Sequence, residues 1–184
     1  MKKEELRKIN KAKRNEMKPC DVEEKSKNTA KSFIKSEIYK NAKVIMLYYP
    51  LGNETDTLYV FKKALNDNKT VVFPVTDVVT NELTAVRADN NTQFSKGAYS
   101  IFEPDVKKVY DEKIDVVIVP GIAFEKSGWR VGFGKGCYDR FLKKIDAVKV
   151  GFCYDFQVVD TIENDSFDIK MDYLVSESGM IVCE

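Results

Sequence analysis

The sequence predicts an α/β fold in one domain, a mostly parallel sheet with helices on both faces, preceded by a pair of N-terminal helices. Short apolar runs alternate with stretches of helical periodicity, the pattern left by strand, helix, strand crossovers. Three of the apolar runs stop at a proline in the same manner, in LYYPLGNE, VVFPVTD and VIVPGIAF. The chain has 184 residues and is 43% hydrophobic, a size and composition that suit a single buried core, so residues 1–184 are read as one domain. Together these features describe a Rossmann-like three-layer sandwich.

The elements follow in order. Residues 2–17 carry Leu6, Ile9 and Met17 roughly on one side and read as a helix that ends near Pro19. Asp21 and Glu24 read as a capping box for a second helix bearing Ala30, Phe33, Ile34 and Ile38. Val44 to Tyr49 is a buried strand stopped by Pro50 and Gly52. Asp56 then caps a helix from Thr57 to Asn66, with Leu58, Phe61 and Leu65 at helical spacing. Further strands are expected at Val71 to Phe73, Leu83 to Arg87, Val116 to Val119, Val148 to Tyr154 and Met180 to Cys183, and a helix at Cys137 to Lys144. The stretch from Thr76 to Tyr110 is the least legible, because its Asn, Asp and Lys content breaks both periodicities. In an open parallel sheet ligands bind beyond the carboxyl ends of the strands, so the three proline-terminated loops should converge on the functional edge.

Composition removes several classes of function. The chain has no histidine, which excludes serine–histidine triads and histidine–zinc hydrolases. Chemistry must then run on carboxylates, lysines, arginines, backbone amides and a bound ion or co-substrate. The net charge of +1 gives no reason to expect a nucleic-acid or membrane partner. The charge is uneven, however: residues 1–18 hold eight basic and three acidic side chains, a local +5. Nucleic-acid binding through that segment is a minor reading, which a steep salt dependence would reveal. Cys20, Cys137, Cys153 and Cys183 show no CxxC spacing, and no secretion-type apolar segment is present, so the thiols are expected to be reduced in a cytoplasmic chain. No apolar run approaches a bilayer span.

The segment GWRVGFGKGCYDR, Gly128 to Arg140, is the most informative. It places Gly128, Gly132, Gly134 and Gly136 between a strand and a helix, with Arg130 and Lys135 among them. Such a loop leaves backbone N–H groups free to surround an anion, and the helix start and the two cations add positive charge, a composition suited to nucleotide phosphates. It is neither a Walker A loop nor the dinucleotide fingerprint. Taken alone, the pattern fits a flexible glycine loop equally well, and a lone Asp139 in a first helical turn fits the helix dipole without any function.

The segment VPGIAFEKSGWRVGFGKGCYDRFL resembles the signature of the 5-formyltetrahydrofolate cyclo-ligase family, and the similarity extends along the chain. KKEELRKINKAKR is similar to the family's opening helix, LYYPLGNETDT to its segment after the first strand, GAYSIFEPD to its aromatic and Glu-Pro stretch, and FDIKMDYLVSE to its closing acidic motif. The resemblance implies ATP-dependent, Mg²⁺-dependent closure of 5-formyltetrahydrofolate to 5,10-methenyltetrahydrofolate by a cytoplasmic monomer, with ATP as co-substrate. It assigns Lys3, Arg7, Arg130, Val131, Gly132, Phe133, Gly134, Lys135, Gly136, Cys137 and Tyr138 to ATP, with Arg130 and Lys135 catalytic. Tyr49, Glu54 and the run Phe133 to Cys137 fall to the folate, and Asp139 and Asp168 to magnesium. Lys3 and Arg7 lie one turn apart, on one side of a helix and expected to be exposed. Tyr99 stands where an aromatic can stack on the ligand. Three positions depart from the family pattern: Cys137 replaces an aromatic, Val131 replaces leucine, and Phe167 precedes Asp168 where histidine is common, which leaves Asp165 as a rival metal ligand. Other α/β enzymes, such as sugar-phosphate isomerases or coenzyme A transferases, and a non-catalytic nucleotide or folate sensor on the same fold, are the competing readings.

Overall fold

Residues that alternate in side along each strand divide the core into two faces, and the helices follow that division. The computed structural model describes residues 1–105 and 108–184. Its elements are α1 (Lys3–Asn15), α2 (Pro19–Lys35), α3 (Glu37–Asn41), β1 (Val44–Met46), α4 (Leu58–Asn66), β2 (Thr70–Thr76), β3 (Leu83–Ala88), β4 (Phe94–Lys96), β5 (Phe102–Pro104) and β6 (Val116–Val119). There follow β7 (Ala123–Glu125), β8 (Arg130–Val131), α5 (Cys137–Leu142), β9 (Val148–Phe152), β10 (Val158–Val159), β11 (Tyr173–Ser176) and β12 (Gly179–Val182).

A seven-stranded sheet runs in the order β12-β11-β9-β6-β1-β2-β3. Its inner strands pair in parallel, and β3 and β12 close the two edges antiparallel. The chain passes from β1 to β2 on one side and later returns to place β6 on the other side of β1. That reversal opens a crevice beyond the carboxyl ends of β1 and β6, the place where such sheets hold ligands.

Ile45, Leu47, Val71, Phe73, Val116 and Ile118 face a core completed by Phe33 of α2, Tyr39 of α3 and Val60 and Ala64 of α4. Phe33 is fully buried, with the rings of Tyr39 and Phe152 edge-on at 5.5 Å each. The intervening residues Met46, Val72, Val117 and Val119 face the opposite side, against Leu142 of α5 and Phe124 of β7. Helices therefore lie on both faces, but unequally. On the second face the single short α5 is supplemented by a small sheet, β10-β7-β8. Helix α1 packs on that sheet through Leu6, which is buried with Ala123, Val131 and Ile162. The two N-terminal helices thus part company, since α2 packs instead on β11, β12, α3 and α4.

Several local expectations are corrected. Helix α2 begins at Pro19, whose fixed φ suits a first helical position, so Asp21 lies in the first turn and the expected capping box does not form. Ser36 ends α2 and caps α3 by accepting from Tyr39 N–H at 3.2 Å, which puts Ile38 on a separate helix. Asp56 does accept from the Leu58 N–H at 2.7 Å, although Thr57 is the residue flanking α4. Strand β11, the β4–β5 hairpin and the small sheet were not anticipated from sequence.

Candidate active site

The three proline-terminated loops meet as the topology requires. Tyr48, Tyr49, Leu51 and Glu54 after β1, Pro74 and Thr76 at the end of β2, and Pro120 after β6 line one cavity of about 680 Å³. Helix α1 supplies Lys3, Arg7 and Lys11 to the same cavity, the glycine loop supplies Gly132 to Asp139, and the β4–β5 hairpin supplies Tyr99, Ile101, Phe102 and Glu103.

Of the residues expected from sequence, Lys3, Arg7, Tyr49, Glu54, Arg130, Gly132, Phe133, Gly134, Lys135, Gly136, Cys137, Tyr138, Asp139 and Asp168 all line the cavity. Val131 does not, because its side chain is fully buried beside Leu6, Ala123 and Ile162. Lys3 and Arg7 are also less exposed than expected. Arg7 Nε donates to the Gly132 carbonyl at 2.9 Å, which ties α1 to the glycine loop. Lys3 Nζ reaches Asp165 at 2.6 Å and Asp168 at 2.5 Å. Burial alone lowers a lysine pKa, but these hydrogen bonds and the two negative charges outweigh it and hold the Lys3 ammonium above its ordinary value.

Two glycine positions have a definite steric reason. A Cβ on Gly132 would lie 2.6 Å from Nη1 of Arg130, which is folded back beneath the loop. Gly134 has φ +99°, where a side chain is strained, and it passes close to the Arg7 guanidinium. Arg130 itself is buried; Nη2 donates to Asp139 Oδ1 at 3.0 Å and Nη1 to the Pro120 carbonyl at 3.3 Å, while Nε has no partner. Helix α5 has only six residues, so its dipole adds little, and attraction for an anion rests on the loop amides and side-chain cations. Among the described residues, Arg7, Lys11 and Lys135 have no carboxylate within ion-pair distance, whereas Lys3 and Arg130 do.

Other residues of the lining have different chemistry. Glu54 is 5% exposed, and its Oε2 accepts the Leu51 N–H at 2.9 Å while Oε1 has no hydrogen-bond partner. Burial pushes its carboxyl pKa above the ordinary carboxylate value against the pull of Arg14. The Tyr49 ring packs at 5.1 Å from both Phe94 and Phe102, forming an aromatic side to the cavity. Tyr99 holds a left-handed φ of 54° at the rim, where its hydroxyl donates to Asn81 and Lys135 Nζ lies 5.7 Å from its ring centre.

The donor set for a divalent cation is modest. Among the described residues no group of three or more His, Cys, Asp or Glu side chains could enclose a metal. Magnesium bound with nucleotide phosphates needs only one or two carboxylates and keeps several waters, so Asp139 and Asp168 fit such an ion. Both protein bonds to Asp139 fall on Oδ1, from Arg130 and from the Ile169 N–H at 3.3 Å. Asp165 and Asp168 both line the cavity, with the Asp168 side chain 11% exposed and that of Asp165 54%.

Lys11, Tyr48, Ile101, Phe102 and Glu103 are not among the site residues expected from sequence, although Tyr99 of the same hairpin is. Lys11 had a signal, since it follows Arg7 by four residues on the helix face that already carried Lys3.

The 5-formyltetrahydrofolate cyclo-ligase family model matches residues 1–177 of the chain. A protein of Caenorhabditis elegans named as a probable 5-formyltetrahydrofolate cyclo-ligase is 26% identical, covering 98% of this chain and 95% of its own. The Mycoplasma pneumoniae 5-formyltetrahydrofolate cyclo-ligase is 30% identical over 73% of each chain. Among solved structures, the 5,10-methenyltetrahydrofolate synthetase of Aquifex aeolicus superposes with a TM-score of 0.85 at 33% identity, covering 98% of this chain and 92% of that one. A Mycoplasma pneumoniae 5,10-methenyltetrahydrofolate synthetase shares the fold, with a TM-score of 0.75 at 24% identity over 96% and 99% of the two chains.

Proposed function

The chain belongs to the 5-formyltetrahydrofolate cyclo-ligase family, and from that premise we propose that it uses ATP to close 5-formyltetrahydrofolate into 5,10-methenyltetrahydrofolate, with release of ADP and phosphate. The observation that carries the reading is the mixed lining of one cavity. It gathers the glycine loop with Arg7, Lys11 and Lys135, cations that lack a carboxylate counter-ion among the described residues, and also the buried Glu54, whose Oε1 has no hydrogen-bond partner, with the rings of Tyr49 and Phe102. Triphosphate suits the first set of groups and a pterin, with its ring and amino N–H groups, suits the second.

The formyl oxygen of the substrate carries no proton, so it can attack the γ-phosphate of ATP without a general base, displacing ADP. The oxygen becomes a phosphate ester on the former formyl carbon. The folate N10 then attacks that carbon, closing the ring and losing its proton as inorganic phosphate leaves. A chain without histidine is suited to this sequence. The catalytic tasks are alignment and charge stabilisation, given to Arg130, Lys135 and the amides of residues 132–136. Lys3 and Arg7 would hold the nucleotide against the loop, and Glu54 and Tyr49 the folate. Asp139 and Asp168 would hold Mg²⁺, which when bound neutralises charge on the phosphates.

We further propose that residues 1–184 act as one domain, working as a cytoplasmic monomer. Among the described residues no helix is long and apolar enough to cross a membrane. A non-catalytic sensor is not favoured, because the relatives carry enzyme names and the cavity keeps its charged residues. The test is direct: purified protein, 5-formyltetrahydrofolate, ATP and Mg²⁺, with absorbance of the methenyl product as readout. Product only with all three present is the expected result; folate and nucleotide binding without any product would favour the sensor.

A further inference from the structure

We infer that Arg14 is a positioning residue for this reaction, one that fixes the buried Glu54 carboxylate in place and opposes its protonation so that its free oxygen can accept a hydrogen bond from the folate ring. The inference rests on the folate reading given above.

Arg14 lies in the last turn of α1, on the face that presents Lys3, Arg7 and Lys11 to the cavity. It does not line the cavity itself; it stands behind Glu54. Its Nη1 is 3.5 Å from Glu54 Oε1, and the two side chains are 8% and 6% exposed. Oε1 makes no hydrogen bond, and neither does Arg14 Nε. A separation of 3.5 Å supplies charge attraction without a short directional bond, which leaves a lone pair of Oε1 available.

The surroundings hold this arrangement. The Asn53 side-chain amide donates to the Arg14 carbonyl at 2.9 Å and to the Met17 carbonyl at 3.2 Å, and the Asn53 carbonyl accepts the Tyr154 hydroxyl at 3.2 Å. The end of α1 is thereby strapped to the loop that bears Glu54. The Arg14 guanidinium also lies 5.6 Å from the centre of the Phe133 ring on the glycine loop. One side chain thus touches both Glu54 and the glycine loop from behind the cavity lining.

Among the described residues, Arg14 is the only cation within ion-pair distance of Glu54. The titratable groups facing Glu54 from the neighbouring elements are the phenols of Tyr48 beyond β1 and Tyr138 in α5, both kept neutral by burial, which raises their pKa values. Burial favours the protonated carboxyl and Arg14 opposes it. The sign is fixed: a proton on Glu54 competes with a ligand N–H, so affinity is lost as pH falls through the Glu54 pKa. Removing Arg14 raises that pKa and moves the loss to higher pH.

The test is titration calorimetry of 5-formyltetrahydrofolate, without ATP, from about pH 5 to about pH 9. The proteins are wild type, R14M, R14K, E54Q and the R14M/E54Q double variant, each checked by circular dichroism. In R14M, folate affinity at neutral pH should fall about tenfold or more, with its acid limb displaced upward. ATP affinity should change far less, and R14K should recover part of the loss. In the E54Q background R14M should add little, because the group it acts through is already neutral. Should R14M fail to fold, R14Q, which removes the charge and shortens the side chain but keeps an amide that can hydrogen-bond, carries the same expectations. A pH profile that superposes on wild type, or losses from R14M and E54Q that multiply, would overturn the inference. Absence of folate binding in wild type would overturn the folate reading together with it, whereas normal wild-type binding with an unaffected R14M removes only the role of Arg14.

Discussion

Replacing Arg130 tests whether the buried guanidinium serves the reaction or only the fold. In R130A two hydrogen bonds vanish, those to Asp139 Oδ1 at 3.0 Å and to the Pro120 carbonyl at 3.3 Å. Asp139 is 19% exposed, so water can replace its lost partner in part, and the stability loss should be about 1 to 3 kcal/mol. For a chain of this size that lowers the melting temperature by about 2 to 12 °C, which leaves the variant folded at assay temperature. If Arg130 stabilises charge on the transferring phosphoryl group, turnover at saturating ATP and folate should fall about 10²- to 10³-fold, with little change in ATP KM. R130K should recover only part of this, since it keeps the charge but loses the planar fork that spans Asp139 and Pro120. The measurement is saturation kinetics in both substrates for the three proteins, with thermal melts alongside. Wild-type turnover in R130A at saturating ATP would refute the catalytic role and leave Arg130 as a support for Asp139.

G132A adds a Cβ at 2.6 Å from Arg130 Nη1 without requiring a left-handed backbone, so it should lower turnover while shifting the melting temperature by less than R130A does; an unchanged kcat would mean the guanidinium can move aside freely. The K3A/R7A double variant should raise the ATP KM with the folate affinity largely kept, and equal ATP dependence in variant and wild type would return α1 to a purely structural part. Mg²⁺ alone should bind weakly, because Lys3 occupies Asp168 and Arg130 occupies Asp139, and calorimetry should find the ion binding much more tightly once ATP is present to draw those cations away; strong binding of Mg²⁺ to the free protein would contradict this. E54Q should weaken 5-formyltetrahydrofolate binding about tenfold while sparing ATP, because a buried acceptor is exchanged for a group that is half donor; equal folate titrations would remove Glu54 from the site.

The parts of the fold that repeat a strong local signal were legible. Strands β1, β2 and β6 are largely apolar, mostly buried runs, and a proline at or near the carboxyl end of each marks the functional edge. Strand β11 was hidden because YLVS is only four residues long and is set among acidic residues. The β4–β5 hairpin has three-residue strands with only Phe94 and Phe102 as apolar anchors, too short for a periodicity to appear. In the site, the glycine loop and the carboxylates were named from the family resemblance, and the cavity gathers all of them but Val131, whose place in the motif reflects packing against Leu6. In the sequence Arg14 is one of eight basic residues among the first eighteen. A buried ion pair between residues forty positions apart leaves no mark in either local sequence, so only the fold could pair it with Glu54.

The bonds from α1 to the rest of the site span most of the chain: Lys3 to Asp168 bridges 165 positions and Arg7 to the Gly132 carbonyl bridges 125. Loop-closure entropy rises only slowly with length, so such contacts remain affordable in the finished protein. Their order of formation is another matter. On the ribosome, the last turn of α1 can meet Asn53 and Glu54 early, but the rest of the helix has nothing to dock on until β7, β8 and the glycine loop have been made, and Lys3 must wait for Asp165 and Asp168. Until then Leu6 and its partners Ala123, Val131 and Ile162 stay uncovered. A helix made well before its partners therefore completes the cavity late, and the Lys3 side of the cavity comes into being only once residues as far on as Asp168 have left the exit tunnel.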